Sequence, residues 1–351
     1  MRIKLRDIAD KVNVSTATVS RVLNDNPNVD ERTRTAVLQA IRDLGYPLPE
    51  AKRYGTSKDS QRIIVATLGS IQRDAEGGST KQQAYSTNSY TELVVNGIEA
   101  ITLRFGMQMH IQRVIVDDPT SQSLAQLLQS DGVIIIGGIV DLRIIDALEQ
   151  AHVPIVLAAA HLHKREINCV HGDYLNGASQ AVQALASSGR RRIVFVNGPP
   201  TTTTSHDKLA GYRLGLSEAG LYYDEQLVVT ATEFHPRAGY EATEALLSNT
   251  RDFNAILYAS DNQAIGGLRA LKEARIKVPE QVSIVGFYDE PFAQFTDPPL
   301  SSIYLDWHRV GEIAALRLVT LLKGIDEERM RIILPMKFNA RASTTGISTR
   351  F

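Results

Sequence analysis

Thr16, Ala17 and Arg21 are side chains suited to reading base-pair edges, and they fall on one side of a short helical pattern. Arginine offers guanine a two-pronged fork, threonine a hydroxyl and a methyl, and alanine an apolar contact for the thymine methyl. A second group is the carboxylate pair Asp261 and Asp289, which could accept from a ligand's hydroxyls or do acid–base work. No Ser/His/Asp order, paired-carboxylate motif or dinucleotide fingerprint stands beside them, so no nucleophile or bound metal accompanies the pair. A third group, His161, His163, Cys169 and His171, carries imidazole and thiol ligands that suit zinc. The spacing of the first two puts both on one side of a strand, but the four match no standard finger or ribbon, and no metal is expected. The run Gly198 to Thr204, GPPTTTT, lacks the Gly-Lys-Ser/Thr ending of a phosphate cradle, and its prolines remove donor N–H groups. It reads as a cleft loop carrying hydroxyls.

The base-reading residues must be held by the elements of Leu5 to Leu44. Ile8, Ala9 and Val12 repeat at helical spacing, and Asn13 follows where the chain must reverse. Ser15 can cap a second helix by accepting from a backbone N–H near Thr18. Within that helix Val19 and Val22 point one way, and Thr16, Ala17, Ser20 and Arg21 point the other. A third helix follows Asp30 as N-cap, buries Val37, Ala40, Ile41 and Leu44, and stops at Gly45. A short helix, a tight turn and a helix with a small-polar and arginine face make a helix-turn-helix reader of the major groove.

The runs VSTATVSRVLN and VDERTRTAVLQAIRDLGY resemble the DNA-binding domain of the LacI/GalR family of repressors. The resemblance implies that Thr16 and Ala17 face base edges and that Arg21 reaches deeper in the groove. Ser15, Ser20 and Asn24 then contact phosphates, setting register without carrying sequence information. Pro47 and Pro49 end this domain, and Gly55 to Ser60 reads as flexible punctuation. In the family the intervening segment is a hinge helix whose leucine wedges a base step. Here Gly55 stands at the leucine's place, so Glu50 to Tyr54, basic at Lys52 and Arg53, is either a DNA-bending hinge turn or a plain tether.

A chain of 351 residues is long enough for such a reader and a large core. The formal net charge of -1 argues against nucleic acid until its distribution is considered, because residues 1–60 carry a net +3 and the remainder a net -4. So small a basic excess implies that specificity leans on a dimer. A single cysteine excludes an intrachain disulfide framework and suits a reducing compartment. No apolar targeting segment opens the chain, and the apolar run Gly132 to Val140 is too short to span a membrane. A cytoplasmic protein is expected.

From Arg62 onward short apolar runs alternate with helical patterns, which implies parallel sheets covered by helices on both faces. The pattern restarts near residue 173, suggesting two subdomains with a cleft between them. The expected fold is thus a small all-α helix-turn-helix domain (1–46), a linker (47–61), and an α/β core of two doubly wound parallel-sheet subdomains. The first takes residues 62–172 and 303–328, the second 173–302 and 329–351. Ligands in such folds bind beyond the carboxyl ends of the strands. Phrases such as KLAGYRLGL, YASDNQAIGGLRALKE and VPEQVSIVGFYDEPFAQFTDPPLSSI resemble the family's sensor core, which is similar to type I periplasmic sugar-binding proteins. That resemblance implies that the last helix returns to the first subdomain and that the final strand crosses to the second.

The resemblance also implies effector contacts from Tyr90, Lys208, Phe234, Asp261, Tyr288 and Asp289. Tyr90 and Phe234 supply rings for a ligand's apolar face. Two anchors depart from the family pattern. Lys208, a point charge, replaces an arginine, and Tyr288 replaces the first of two aspartates, Asp289 retaining the second. Residues 71–88, rich in Gly, Ser, Thr and Gln, form an additional loop, either a lid or a surface insertion. The function so implied is a sequence-specific transcriptional regulator, read as a repressor, whose operator affinity is set by a small-molecule effector, a sugar or related metabolite. It needs no cofactor, touches no membrane and acts as a homodimer on double-stranded operator DNA with dyad symmetry. A homodimer rather than a coiled-coil tetramer is expected because no heptads follow Arg341 to Thr344. The alternative is a cleft enzyme, such as a sugar or nucleoside hydrolase, fused to a DNA reader.

Overall fold

The computed structural model describes residues 5–23, 33, 35–37, 39–40, 61–69, 89–115, 122–137, 140–326 and 328–344. The chain divides into two compact units, residues 1–60 and 61–351. The hinge 47–60, the additional loop 71–88, Asp30, Ile41, Leu44 and Gly45 lie outside the described residues.

In the first unit, helix α1 (Leu5–Val12) and helix α2 (Thr16–Leu23) are joined by a turn at Asn13, whose φ of 54° is left-handed. Asparagine tolerates that conformation because its short amide can bond locally. Val14 N–H donates to the Ala9 carbonyl at 3.0 Å, closing α1. Ile8, Ala9, Val19, Val22, Val37 and Ala40 are buried together, with Val12 and Val14 packed at their edge. The expected apolar stripe therefore forms the core of this unit.

The second unit contains two six-stranded sheets. The first comprises β1 (Arg62–Gly69), β2 (Gln108–Ile115), β3 (Gly132–Ile136), β4 (Ile155–Ala158), β5 (Cys169–Gly172) and β11 (Arg331–Leu334), in the order β2-β1-β3-β4-β5-β11 and parallel throughout. The second comprises β6 (Ile193–Asn197), β7 (Val228–Thr230), β8 (Ala255–Tyr258), β9 (Ser283–Tyr288), β10 (Ser301–Tyr304) and β12 (Lys337–Asn339), in the order β7-β6-β8-β9-β10-β12. Only β12 runs antiparallel. Every residue of β3, β4, β6 and β8 is buried, which is why those strands read as unbroken apolar runs.

Helices α3 (Ser89–Phe105), α4 (Gln122–Leu128), α5 (Leu142–Gln150) and α10 (Trp307–Leu322) cover the first sheet. Helices α6 (Tyr174–Ser187), α7 (Thr203–Glu218), α8 (Pro236–Asn249) and α9 (Asp261–Glu273) cover the second. The starts of several are fixed by side-chain caps, since the first N–H groups of a helix have no internal partner. Asp173, Thr202, Ser260 and Asp306 accept from Asn176, Ser205, Gln263 and Arg309 N–H groups respectively.

Two expectations are corrected. The subdomain boundaries lie later than residues 303 and 329: β10 completes the second sheet through Tyr304, and β11 adds to the first beside β5, so the final crossing occurs at Pro335–Met336. His161 and His163, put on one side of a strand by their spacing, stand instead in the loop between β4 and β5, and it is Cys169 and His171 that lie on a strand, β5. Both misreadings come from four-residue strands, RIIL and CVHG, too short for periodicity to identify.

Helices α3 and α10 approach backbone to backbone. A Cβ on Gly97 would collide with the His308 carbonyl, and one on Gly311 with the Val94 carbonyl. Backbone atoms cannot rotate away as a side-chain tip can, so Gly311→Ala must push the helices apart. The expected cost is about 1–3 kcal/mol, as for other overpacked cores. Urea unfolding of the two proteins checks this, and an unchanged midpoint would contradict the close approach.

Candidate functional site

In the reader, Ser15 caps α2: its Oγ accepts from Thr18 N–H at 3.0 Å and lies 2.8 Å from Thr18 Oγ1. Thr16 is exposed in the first turn. Ala17, Ser20 and Arg21 occupy positions within helix α2, whose Val19 and Val22 are buried. Asn24 lies outside the described residues. Burial of Val19 and Val22 fixes which side of α2 packs on the core of this unit.

The second site lies where the two sheets of the core face one another. Lys208, on α7, is completely buried. Its Nζ donates to the Ala259 carbonyl at 2.7 Å and to the Tyr288 hydroxyl at 2.6 Å. Four rings surround the same atom, with centroids of Tyr288 at 4.2 Å, Phe287 at 4.5 Å, and Tyr174 and Phe234 at 5.4 Å. Burial drives the Lys208 pKa well below its usual value, against the opposing pull of Asp207 and Asp261. Electron-rich ring faces offset part of that penalty through cation–π attraction.

Tyr90, at the start of α3, meets this cluster from the first subdomain. Its ring centroid lies 4.5 Å from Trp307 and 5.8 Å from Tyr288. Tyr288 sits at the end of β9 with φ 102°, followed by Asp289 at φ 53°. Such backbone costs about 1–3 kcal/mol in a non-glycine residue and persists only where surroundings over-determine it. Here Trp307 Nε1 donates to the Tyr288 carbonyl at 3.3 Å, and Asp289 N–H donates to Ser302 Oγ at 3.0 Å. Phe234 lies against the chain at Gly198, where any Cβ would strike its ring.

The carboxylates stand behind this wall. Asp261 is fully buried, its oxygens accepting from Ser302 Oγ at 2.6 Å and Glu290 N–H at 2.7 Å. Burial raises its pKa to about 8 despite those two bonds. Asp289 accepts from Arg341 at 2.5 Å and from Asn339 at 2.7 Å, which ties β9 to the last strand. The structure therefore brings Tyr90, Lys208, Phe234 and Tyr288 together and commits Asp261 and Asp289 to the protein itself. Sequence reasoning missed Tyr174, Trp307 and Glu290. Glu290, buried and raised to about 7 by that burial, accepts from the backbone N–H of Tyr90 and so links the two subdomains. Its only signal in the sequence was its place directly after Asp289.

A helix-turn-helix unit and a two-subdomain binding core define the class: a DNA-binding regulator on a binding-protein scaffold. Residues 4–47 match the family described as bacterial regulatory proteins, lacI family, and residues 182–344 match the periplasmic binding protein-like domain. The chain is 31% identical to catabolite control protein A of Priestia megaterium, over 98% of this chain and all of that relative. It is 30% identical to the HTH-type transcriptional regulator AscG of Escherichia coli (strain K12), covering 91% of this chain and 92% of the relative. The solved transcriptional regulator CelR–cellobiose complex matches with a TM-score of 0.70 at 28% identity, over 97% of this chain and all of that one. The chain belongs to the lacI family of bacterial regulatory proteins. These relatives are transcriptional regulators, and the hydrolase alternative falls away. No helix among the described residues is long and apolar enough to cross a membrane.

The buried lysine has a consequence for stability. A folded pKa below the unfolded value near 10.4 favours folding while the amine is neutral. That contribution is present above the unfolded pKa and is lost as pH falls toward the folded one. Lys208→Met keeps the chain length and removes the titration. Its stability should therefore rise less steeply as pH climbs toward the unfolded lysine pKa. Denaturant titrations at several pH values measure both slopes, and parallel slopes would mean that Lys208 is charged throughout.

Proposed function

We propose that this regulator is a repressor acting as a homodimer on a dyad-symmetric operator, with operator affinity set by a small-molecule effector held in the cleft of its core. The effector is a sugar or related metabolite. The observation that carries this reading is the ring of Tyr90 and Trp307 from one subdomain and Tyr174, Phe234 and Tyr288 from the other, around the Lys208 amine. Rings present flat apolar faces of the kind that pack on the C–H faces of sugars and on base planes. Lys208 and the Tyr288 hydroxyl supply the polar handle that the replaced first aspartate would otherwise offer. Asp261 and Asp289 act from behind, holding the strained Tyr288–Asp289 turn in place. The cellobiose bound by the CelR relative supports the sugar class. Such a protein works in the cytoplasm and joins the nucleoid when bound to its operator.

An effector that prefers one closure of the cleft shifts DNA affinity by no more than its differential affinity for the two states, and the coupling is reciprocal. In the reader, Thr16, Ala17 and Arg21 read base edges, while Ser15, Ser20 and Asn24 set register on phosphates.

Selection of bound duplexes from a random pool, at a stated salt concentration, tests the DNA half, and a palindrome is the expected product. Arg21→Ala should relax preference at one base pair per half-site and cost about 1–3 kcal/mol; retained specificity would exclude this docking. With the operator known, metabolites can be screened for its release or capture. Phe234→Ala should then weaken the effector dose-response and leave effector-free operator binding nearly unchanged. An unaltered dose-response would remove Phe234 from the site.

A further inference from the structure

His161 and His163 stand in the loop after β4, in the first subdomain, and Asp207 stands on α7 in the second. Across that boundary His161 Nε2 lies 3.0 Å from Asp207 Oδ2, and His163 Nε2 lies 3.3 Å from Asp207 Oδ1. The three ligand atoms all fall within 4.8 Å of one another. The imidazoles meet edge to face, centroids 5.0 Å apart at 72°, so both nitrogens converge rather than stack. We propose that His161, His163 and Asp207 form a site for a divalent transition-metal ion of the zinc class, bridging the two subdomains of the core.

Ligand atoms about 2.0–2.2 Å from a common zinc stand roughly 3.0–3.5 Å apart. The two imidazole approaches to the Asp207 carboxylate, 3.0 and 3.3 Å, lie in that range, and gathering all three ligands, now within 4.8 Å of one another, on one ion needs side-chain rotation alone. Two imidazoles and one carboxylate select zinc, nickel or copper over magnesium or calcium, which prefer all-oxygen cages. Three protein ligands leave a fourth position for water. Burial grades across the site, with side-chain exposures of 2% for His161, 19% for Asp207 and 45% for His163, so His163 opens the route from solvent.

The supporting shell is built as well. Thr203 Oγ1 donates to the His161 carbonyl at 2.8 Å, tying the loop of the first subdomain to the N-terminus of α7. The His161 ring stacks on His171 at 4.1 Å, which fixes its plane. His161 Nε2 faces the Asp207 carboxylate, an acceptor, so in the metal-free ring that nitrogen carries the proton, and a bound ion takes the proton's place while the buried Nδ1 has no hydrogen-bond partner. Because its ligands come from both subdomains, the ion favours the arrangement in which they meet.

The test uses the full chain without a histidine tag, stripped with chelator and titrated calorimetrically with zinc chloride. About one ion per chain is expected, together with a rise in the thermal midpoint. His163→Ala, at a half-exposed position, and Asp207→Asn, which keeps the side-chain shape, should each weaken binding tenfold or more and abolish the thermal shift. His110→Ala, on the exposed face of β2, should bind as the parent does. Cobalt(II) supplies an independent readout: its visible absorption should report a nitrogen- and oxygen-ligated ion in the parent and change in His163→Ala. Absence of binding at about millimolar zinc would overturn the site. So would equal affinities and unchanged cobalt spectra in the parent and both ligand variants.

Discussion

The backbone passes between the two sheets of the core along three segments, and all three meet at one point. Gly172 ends β5 just before the first crossing, Leu305 follows β10 at the second, and Met336 lies on the third, between β11 and β12. A Cβ on Gly172 would stand 2.9 Å from both Leu305 Cδ2 and Met336 Sδ. A side chain at this position would have to displace the ends of Leu305 and Met336. Everything that spans the subdomains is arranged around this junction, because it sets how the sheets can tilt and which loops can touch. The apolar core is continuous through it, from Val65 and Val156 in one sheet to Val285 and Phe287 in the other.

Around that pivot, polar contacts link the subdomains at the carboxyl ends of the strands. Tyr174 donates to the Ala159 carbonyl at 3.2 Å, Glu290 accepts from Tyr90 N–H, and Asp207 faces His161 and His163. Such contacts can be broken and remade at small cost, whereas the crossings cannot. Coupling between ligand and DNA requires two discrete arrangements, and a fixed pivot with exchangeable contacts is the kind of scaffold that permits them. Lys208 sits at the centre as the least comfortable group in the core, tolerated because two acceptors and four rings compensate for its lost hydration.

The reader solves a different problem with far fewer residues. A small apolar cluster, Ile8, Ala9, Val19, Val22, Val37 and Ala40, is enough to orient α2, because a single outward face is all that recognition needs. Asn13 and Ser15 then set the turn and the helix start through local geometry alone.

Local rules made much of this legible in the sequence. The alternation of buried runs such as GVIII and IVFVN with helical stretches determined two parallel sheets, since a strand covered on both faces must be apolar throughout. The turn at Asn13 and the cap at Ser15 depend on neighbours within three or four residues and were equally readable. Position in three dimensions was not. The short strands Cys169–Gly172 and Arg331–Leu334 are defined by pairing, with each other across a wide separation in the chain and, for the first, with β4, and neither has a period of its own. The same limit governs the sites. Tyr90 and Phe234 were identified by resemblance, but Trp307, Tyr174 and Glu290 join them only through the crossing of the chain. His161 and His163 were visible as possible ligands, while their partner proved to be Asp207 rather than the nearby Cys169. Sequence determines what a segment can form from its own neighbours; which distant side chains share a cleft is decided by packing, where burial and strand pairing outweigh proximity along the chain.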